Sequence, residues 1–205
     1  MTIYKALVPV KTLALAKSRL AAHMPARERE TLVLDMLHHV VTVLRESALL
    51  AQIAVVSPDR RVLEQAQAWG VEAFVEEQHG HNPALHAAAL RMLADETDAL
   101  LTISADLPLL DVNDLSALIA QLASYPVVLA AARDGTGTNA LLLRPPLVLP
   151  YLFGPHSLQR YLEAARQQGL GSTLYHSAGL ALDIDTSDDL HLLRIYMQEM
   201  ELDLV

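Results

Sequence analysis

The sequence predicts an α/β fold, a single-domain three-layer sandwich with a mostly parallel sheet. Apolar runs of strand length alternate with amphipathic stretches of helix length along the chain, and this alternation is typical of βαβ units. The 205 residues, 52% of them hydrophobic, suffice for one domain with a sizeable core. We therefore expect residues 1–205 to form one domain.

The first half of the chain predicts four strands separated by three helices. Residues 3–10 are β-branched and apolar, as in a buried strand. Met36, Val40 and Leu44 recur at helical spacing, and Gly70 is expected to end the next helix. In chain order we predict a strand at 3–10, a helix from near 25, a strand at 52–57, a helix at 58–69, a strand at 71–77, a helix at 83–94 and a strand at 99–104.

The second half predicts three strands and three helices. Small polar residues between two short apolar runs favour a hairpin turn near 133–138, although the same stretch could let backbone amides and Thr138 approach an anion. In chain order we predict a helix at 112–123, strands at 126–131 and 139–144, a helix at 156–168, a strand at 180–185 and a final helix.

Composition and charge exclude several classes of protein. A net charge of -9 argues against binding nucleic acid or an anionic membrane, because these partners select for a basic surface. The absence of cysteine excludes disulfides, thiolate metal sites and thiol nucleophiles. No run of about 18 uncharged apolar residues and no signal-peptide pattern appears, so we expect a cytoplasmic protein.

Asp106 follows the apolar strand predicted at 99–104, and Pro108 stops that strand. Ligands of open α/β sheets bind outside the carboxyl ends of the strands, so a side chain at this position is expected to face a binding site. The alternative is an ordinary turn or helix-capping aspartate. The short stretch around Asp106 does not decide between them.

A second acidic pair lies near the end of the chain. If residues 180–185 form a strand, Asp183 and Asp185 point to the same face, where their repulsion is relieved by a divalent cation. Asp106 would supply a third carboxylate. The alternative for the pair is a solvated edge strand, and Asp188 and Asp189 are expected to serve only the first turn of the final helix.

Lys11, Lys17 and Arg19 follow the first strand and could neutralise phosphates, or they could be ordinary surface cations. This stretch contains no glycine, so neither a Walker loop nor a dinucleotide fingerprint fits. Gly154 and Ser157 begin a predicted helix, where an anion is stabilised. A serine N-cap would explain Ser157 equally well.

Five stretches occur in the order VPVKTLALAKSRL, SADLPLL, DGTGTNALLLRPP, FGPHSL and DIDTSDDL. This ordered set resembles the 2-phospho-L-lactate guanylyltransferase family of deazaflavin coenzyme F-420 biosynthesis. The resemblance implies a nucleotide-diphospho-sugar-transferase-like fold and Mg²⁺ as cofactor. It also implies transfer of GMP from GTP to 2-phospho-L-lactate or phosphoenolpyruvate, with release of pyrophosphate.

The resemblance also implies roles for individual residues. Magnesium is expected at Asp106, Asp183 and Asp185, and the phosphorylated acid at Thr138, Gly154 and Ser157. Catalytic roles are expected for Asp106, Lys11 and Lys17. The residues expected to bind the nucleotide are Lys11, Lys17, Arg19 and Asn82. His81 replaces the leucine of the family's Gly-Leu-Asn stretch, which leaves base recognition open.

Two other functions are consistent with parts of the sequence. His79, His81 and His86 could bind zinc in a metallohydrolase, although Gly80, Asn82 and Pro83 suggest that they lie in a loop. A non-catalytic nucleotide-binding protein on the same fold is the third class. The sequence leaves open whether the acceptor is 2-phospho-L-lactate, phosphoenolpyruvate or 3-phosphoglycerate, and whether the chain forms a homo-oligomer.

Overall fold

A computed structural model describes residues 2–202 of the chain, so residues 1 and 203–205 of the predicted 1–205 domain lie outside the described residues. Seven strands form one sheet in the order β3-β2-β1-β4-β6-β5-β7. Their bounds are β1 Tyr4–Pro9, β2 Leu50–Ser57, β3 Glu72–Val75, β4 Ala99–Ile103, β5 Val127–Ala131, β6 Thr138–Leu143 and β7 Ser172–Tyr175.

The sheet is mostly parallel, as predicted, and β6 is the exception. It pairs antiparallel with both β4 and β5, whereas the other four strand pairs are parallel. The hairpin interpretation of residues 133–138 is therefore confirmed. Because β6 runs in the opposite direction, its first residues Thr138 and Asn139 lie at the edge where β1 and β4 end.

Helices cover both faces of the sheet. Apolar residues of α1, α2 and α4 pack on one face, and those of α3 and α5 pack on the other, which makes the three layers. The helices are α1 Ala26–Glu46, α2 Arg60–Ala68, α3 His81–Met92, α4 Val112–Ala120, α5 Ser157–Gln167, α6 Ala178–Ala181 and α7 Ser187–Leu202. None of these helices has both the length and the apolar character needed to cross a membrane.

The predicted strand at 180–185 was wrong. Residues 178–181 form the short helix α6, and residues 182–185 have no regular secondary structure. Leu182 and Ile184 alternate with polar residues because they pack with Met36 of α1 in a small separate cluster, not because they lie in a sheet. The last strand is β7, a partly exposed edge strand beside β5 that the sequence pattern did not reveal.

Candidate active site

A cavity of about 390 Å³ opens at the carboxyl ends of β1 and β4. The segment after β1 supplies one wall through Lys11, Lys17 and Arg19, and the segment after β4 supplies Asp106. His81 and Phe153 form another part of the lining, and Asp185 approaches from the segment before α7. The cavity therefore lies where α/β sheets bind their ligands.

Three carboxylates meet at this cavity. Asp106, Asp183 and Asp185 each offer an oxygen, and these oxygens lie within 4.8 Å of one another. The structure thus brings together the three aspartates that the sequence proposed as metal ligands. The strand predicted to align Asp183 and Asp185 is absent, and hydrogen bonds hold the segment instead.

Asn139 is one source of these hydrogen bonds. Its Nδ2 lies 3.1 Å from Leu180 O, 3.3 Å from Ala181 O and 3.1 Å from Asp183 Oδ1. The side chain is buried, so these contacts are shielded from water. Sequence reasoning missed Asn139; the available signal was a polar residue at the start of the apolar run ALLL.

Asp189 holds the other end of the segment. Its Oδ2 accepts hydrogen bonds from Asp185 N at 3.1 Å, Thr186 N at 2.8 Å and Thr186 Oγ1 at 2.8 Å. Its Oδ1 accepts a hydrogen bond from Arg133 Nη2 at 2.6 Å. Asp189 therefore serves the start of α7, as predicted, and it also fixes the backbone of Asp185.

Lys17 lies between two of the carboxylates. Its Nζ contacts Asp106 Oδ2 and lies 3.0 Å from Asp185 Oδ1, and only 7% of its side chain is exposed. Burial lowers the pKa of Lys17, but the charges and hydrogen bonds of Asp106 and Asp185 outweigh burial and raise the pKa. The backbone of Lys17 is left-handed at φ 52°, a conformation uncommon outside glycine.

The other two predicted cations are more accessible. Lys11 is exposed and lines the cavity. Arg19 also lines it, with 72% of its side chain exposed and its Nη1 3.6 Å from Asp185 Oδ2. Lys11 and Arg19 can therefore reach an anion in the cavity, whereas Lys17 is committed to carboxylates.

The environment of Asp183 fits a cation. Burial has the largest effect on the pKa of Asp183 and raises it. The charges of Asp106 and Asp185 raise this pKa further, whereas the hydrogen bond from Asn139 lowers it. A hard divalent ion such as Mg²⁺ prefers oxygen ligands and would offset the repulsion among the three carboxylates. It would also stabilise the charged form of Asp183, which burial disfavours. The donor set thus suits the expected metal.

The residues predicted to hold the acid are only partly accessible. Ser157 Oγ donates to Thr138 Oγ1 at 3.0 Å, and both residues are buried outside the cavity lining. Ser157 is not the N-cap of α5: that position is His156, which makes no side-chain capping bond. Gly154 is exposed and follows the cavity residue Phe153.

Asn82 does not line the cavity, although the preceding residue His81 does. The Asn82 side chain instead bonds the backbone of Phe153. The ring of His81 meets the Phe153 ring edge-on with centroids 5.8 Å apart. Burial lowers the pKa of His81, and the charge of Lys11 lowers it further.

The three histidines proposed as zinc ligands do not form a metal site. Among the side chains that the structure describes, those of residues 2–199, the one group of at least three metal-ligating side chains is the aspartate cluster. His81 and His86 both lie in α3, and the ring of His81 packs edge-on against Phe153. The structure therefore does not support the metallohydrolase interpretation.

Several named relatives align with nearly the whole chain. A phosphoenolpyruvate guanylyltransferase of Sphaerobacter thermophilus is 41% identical over 185 residues, which cover 90% of this chain and 89% of the relative. A 2-phospho-L-lactate guanylyltransferase of Methanothermobacter thermautotrophicus is 35% identical over 186 residues, which cover 90% of this chain and 81% of the relative. A 3-phospho-D-glycerate guanylyltransferase of Colwellia psychrerythraea is 30% identical over 188 residues, which cover 92% of this chain and 90% of the relative.

Solved structures share the fold at low sequence identity. A protein described as a nucleotide-diphospho-sugar transferase from Desulfovibrio desulfuricans G20 superimposes with a TM-score of 0.80 at 18% identity, covering 94% of this chain and 87% of that one. A CMP:2-keto-3-deoxy-manno-octonic acid synthetase complexed with CTP gives a TM-score of 0.64 at 15% identity, covering 97% and 100%. The predicted fold class is confirmed.

The family itself follows from the length of the match. The family model described as guanylyl transferase CofC like aligns with residues 4–201, which include every element of the sheet and all three aspartates at the cavity. Relatives at 41% and 35% identity over 90% of the chain agree with this match. The chain belongs to the CofC-like guanylyl transferase family.

Proposed function

We propose that this chain transfers GMP from GTP to the phosphate of phosphoenolpyruvate or 2-phospho-L-lactate, with release of pyrophosphate, in the biosynthesis of coenzyme F-420. The observation that carries the proposal is the cluster of Asp106, Asp183 and Asp185 beside a cavity lined by cations. Relatives named for phosphoenolpyruvate, at 41% and 42% identity, make that acid the expected acceptor.

The reaction joins two phosphates without a general base. A phosphate oxygen of the acid attacks the α-phosphorus of GTP. The bond from that phosphorus to the oxygen between the α- and β-phosphates breaks, and pyrophosphate leaves. The second pKa of a phosphate monoester is near 6, so the nucleophile is largely deprotonated at neutral pH. Positioning and charge neutralisation are then the main contributions of the protein.

Asp106, Asp183 and Asp185 would hold Mg²⁺, which when bound neutralises negative charge on the triphosphate and helps to align it. Lys11 and Arg19 reach the cavity and would contact the phosphates directly. Lys17 contacts Asp106 and Asp185 and keeps these carboxylates in place. Lys11 and Arg19 would thus bind the substrate, and Lys17 orders the carboxylates.

The acid would lie on the side of the carboxylates formed by β6 and the segment before α5. Thr138 precedes Asn139, whose side chain bonds Asp183, so this end of β6 adjoins the carboxylates. Because Thr138 and Ser157 are buried and bonded to each other, the exposed backbone at Gly154 is the accessible part of this region. The acid would therefore bind beside Gly154, which follows the cavity-lining residue Phe153.

A pyrophosphate-release assay tests the proposal. Each of the four nucleoside triphosphates is combined with phosphoenolpyruvate, 2-phospho-L-lactate or 3-phosphoglycerate, with magnesium and with a chelator. We expect release with GTP and phosphoenolpyruvate, and none with the chelator. GTP binding without pyrophosphate release from any combination would instead indicate a non-catalytic nucleotide-binding protein.

A further inference from the structure

Asn82 bonds both backbone groups of a residue far away in the chain. Its Nδ2 donates to Phe153 O at 3.0 Å, and its Oδ1 accepts from Phe153 N at 2.9 Å. Such a two-point pairing imitates a neighbouring strand and allows the bonded residue only one orientation. Because the amide group is engaged at both ends by Phe153, it is not free to recognise a nucleotide.

The segment around Phe153 is also held from the opposite side. Leu152 N donates to Tyr161 Oη of α5 at 2.8 Å. The Phe153 ring stacks on Tyr151 at 5.9 Å and meets Tyr161 edge-on at 5.5 Å between centroids. Phe153 is therefore fixed between α3 and α5, and its ring keeps its place in the cavity lining.

Fixing the carbonyl of Phe153 also fixes the amide of Gly154. The two groups belong to one peptide unit, and in a trans peptide they point in opposite directions. Since the carbonyl points at Asn82, the Gly154 N–H points away from Asn82. Among the described groups, the backbone of residues 2–202 and the side chains of residues 2–199, it has no hydrogen-bond acceptor.

The surroundings of Gly154 suit an anion. Its φ of +120° is a conformation that favours glycine, and a Cβ there would lie 3.3 Å from Arg160 Nη2. The unpaired Gly154 N–H and the guanidinium of Arg160, which lies near the Gly154 backbone, are donors of the kind that bind carboxylates and phosphates. The orientation of the Phe153–Gly154 peptide therefore decides whether this N–H is presented to a ligand.

We infer that Asn82 is a positioning residue for the phosphorylated acid: by holding Phe153 it orients the Gly154 amide, and it does not bind GTP. The inference rests on the proposed function for its choice of substrate. It replaces the nucleotide-binding role that the resemblance implied for Asn82. It also explains why an asparagine stands at this position, since a single side chain must both donate to and accept from one residue.

The test uses Asn82→Asp, which keeps the shape of the side chain and its acceptor but replaces the donor to Phe153 O by a second oxygen. We expect the KM for phosphoenolpyruvate to rise about tenfold, as for the loss of one hydrogen bond, with the KM for GTP within about twofold. Asn113→Asp is the matched control, because Asn113 is exposed and is also the second residue of its helix. It should change neither KM.

Amide exchange of the substrate-free protein gives an independent measurement. We expect the Phe153 amide to exchange at least about tenfold faster in Asn82→Ala, which removes the acceptor of that amide. Asn82→Ser takes its place should the alanine variant fail to fold. A higher KM for GTP alone, or equal increases in both KM values, would overturn the inference. If wild-type protein releases no pyrophosphate, the proposed function fails; unchanged Phe153 exchange overturns the inference whatever the activity.

Discussion

The backbone and the side chain of Asp106 have separate tasks. Its carbonyl oxygen accepts a hydrogen bond from Ile184 N at 3.3 Å, and its carboxylate contacts Lys17. The carbonyl fixes the segment that carries Asp183 and Asp185, so the carboxylate can change without loss of that backbone contact. The functional role of Asp106 can therefore be separated from its structural role by a change of side chain alone.

Asp106→Asn should leave the fold intact and lower the rate of pyrophosphate release at least about 100-fold, because the amide removes a negative ligand from the reaction centre. Circular dichroism and steady-state assays of purified protein measure the two effects. Asp35→Asn on the exposed side of α1 is the control and should retain activity. Near-normal turnover of Asp106→Asn would remove this residue from the site.

The charged form of Asp183 is expected to destabilise the folded protein. Its pKa is raised above 3.8 by burial and by its acidic neighbours, so its contribution to stability is present below pH 3.8 and is lost as pH rises through the raised pKa. Asp183→Asn should therefore stabilise the protein by about 1 kcal/mol at pH 7 while abolishing activity. Urea unfolding at pH 7 and pH 4 should show the difference shrinking at the lower pH; an unstable variant at pH 7 would contradict this prediction.

At the scale of elements, the segment between α6 and α7 is ordered by side chains from other parts of the chain. Asn139 of β6 holds its beginning, and Asp189 of α7, paired with Arg133, holds its end. Neither α6 nor the residues 182–185 have enough regular backbone bonding to place two aspartates on their own. Capping and cross-linking therefore decide the geometry of the carboxylates.

Asp189→Ala should lower the free energy of unfolding by about 2 kcal/mol, because it leaves several donors and Arg133 without their acceptor. Hydrogen bonds outweigh burial and lower the pKa of Asp189, so its stabilisation is present above pH 3.8 and is lost as pH falls through the lowered pKa. Denaturant titrations near neutral pH measure the loss. The neighbouring exposed Asp188→Ala should change stability by less than about 0.5 kcal/mol; equal losses would refute the assignment.

At the scale of the whole molecule, the proposed reaction requires a chain of net charge -9 to bind a triphosphate and a second phosphorylated acid. Lys11 and Arg19 would contact the phosphates at the edge of the sheet where the three aspartates meet, and Lys17 balances the charge of two of these carboxylates. Parallel β1 and β4 end at this edge, and the antiparallel β6 begins there. The topology thereby concentrates both signs of charge in one cavity.

Magnesium alone should stabilise the folded protein, because it offsets the repulsion among the three carboxylates. At ten times its dissociation constant the gain is about 1.4 kcal/mol, or about 3–6 °C in Tm for a chain of this size. Thermal unfolding with and without MgCl₂ measures it, and a chelator should reverse it. An Asp106→Asn, Asp183→Asn, Asp185→Asn triple variant should show no shift; a shift of the same size there would place the metal elsewhere.

The sequence by itself determined the alternation of strands and helices, the edge at which Asp106 lies and the family, because periodicity and short ordered motifs are local properties of the chain. The tertiary structure alone decided how Asp183 and Asp185 are held. It also showed that Lys17 contacts carboxylates, that Thr138 and Ser157 are buried against each other, and that Asn82 bonds Phe153. These features depend on contacts between residues that are distant in the chain, and no local pattern encodes such contacts.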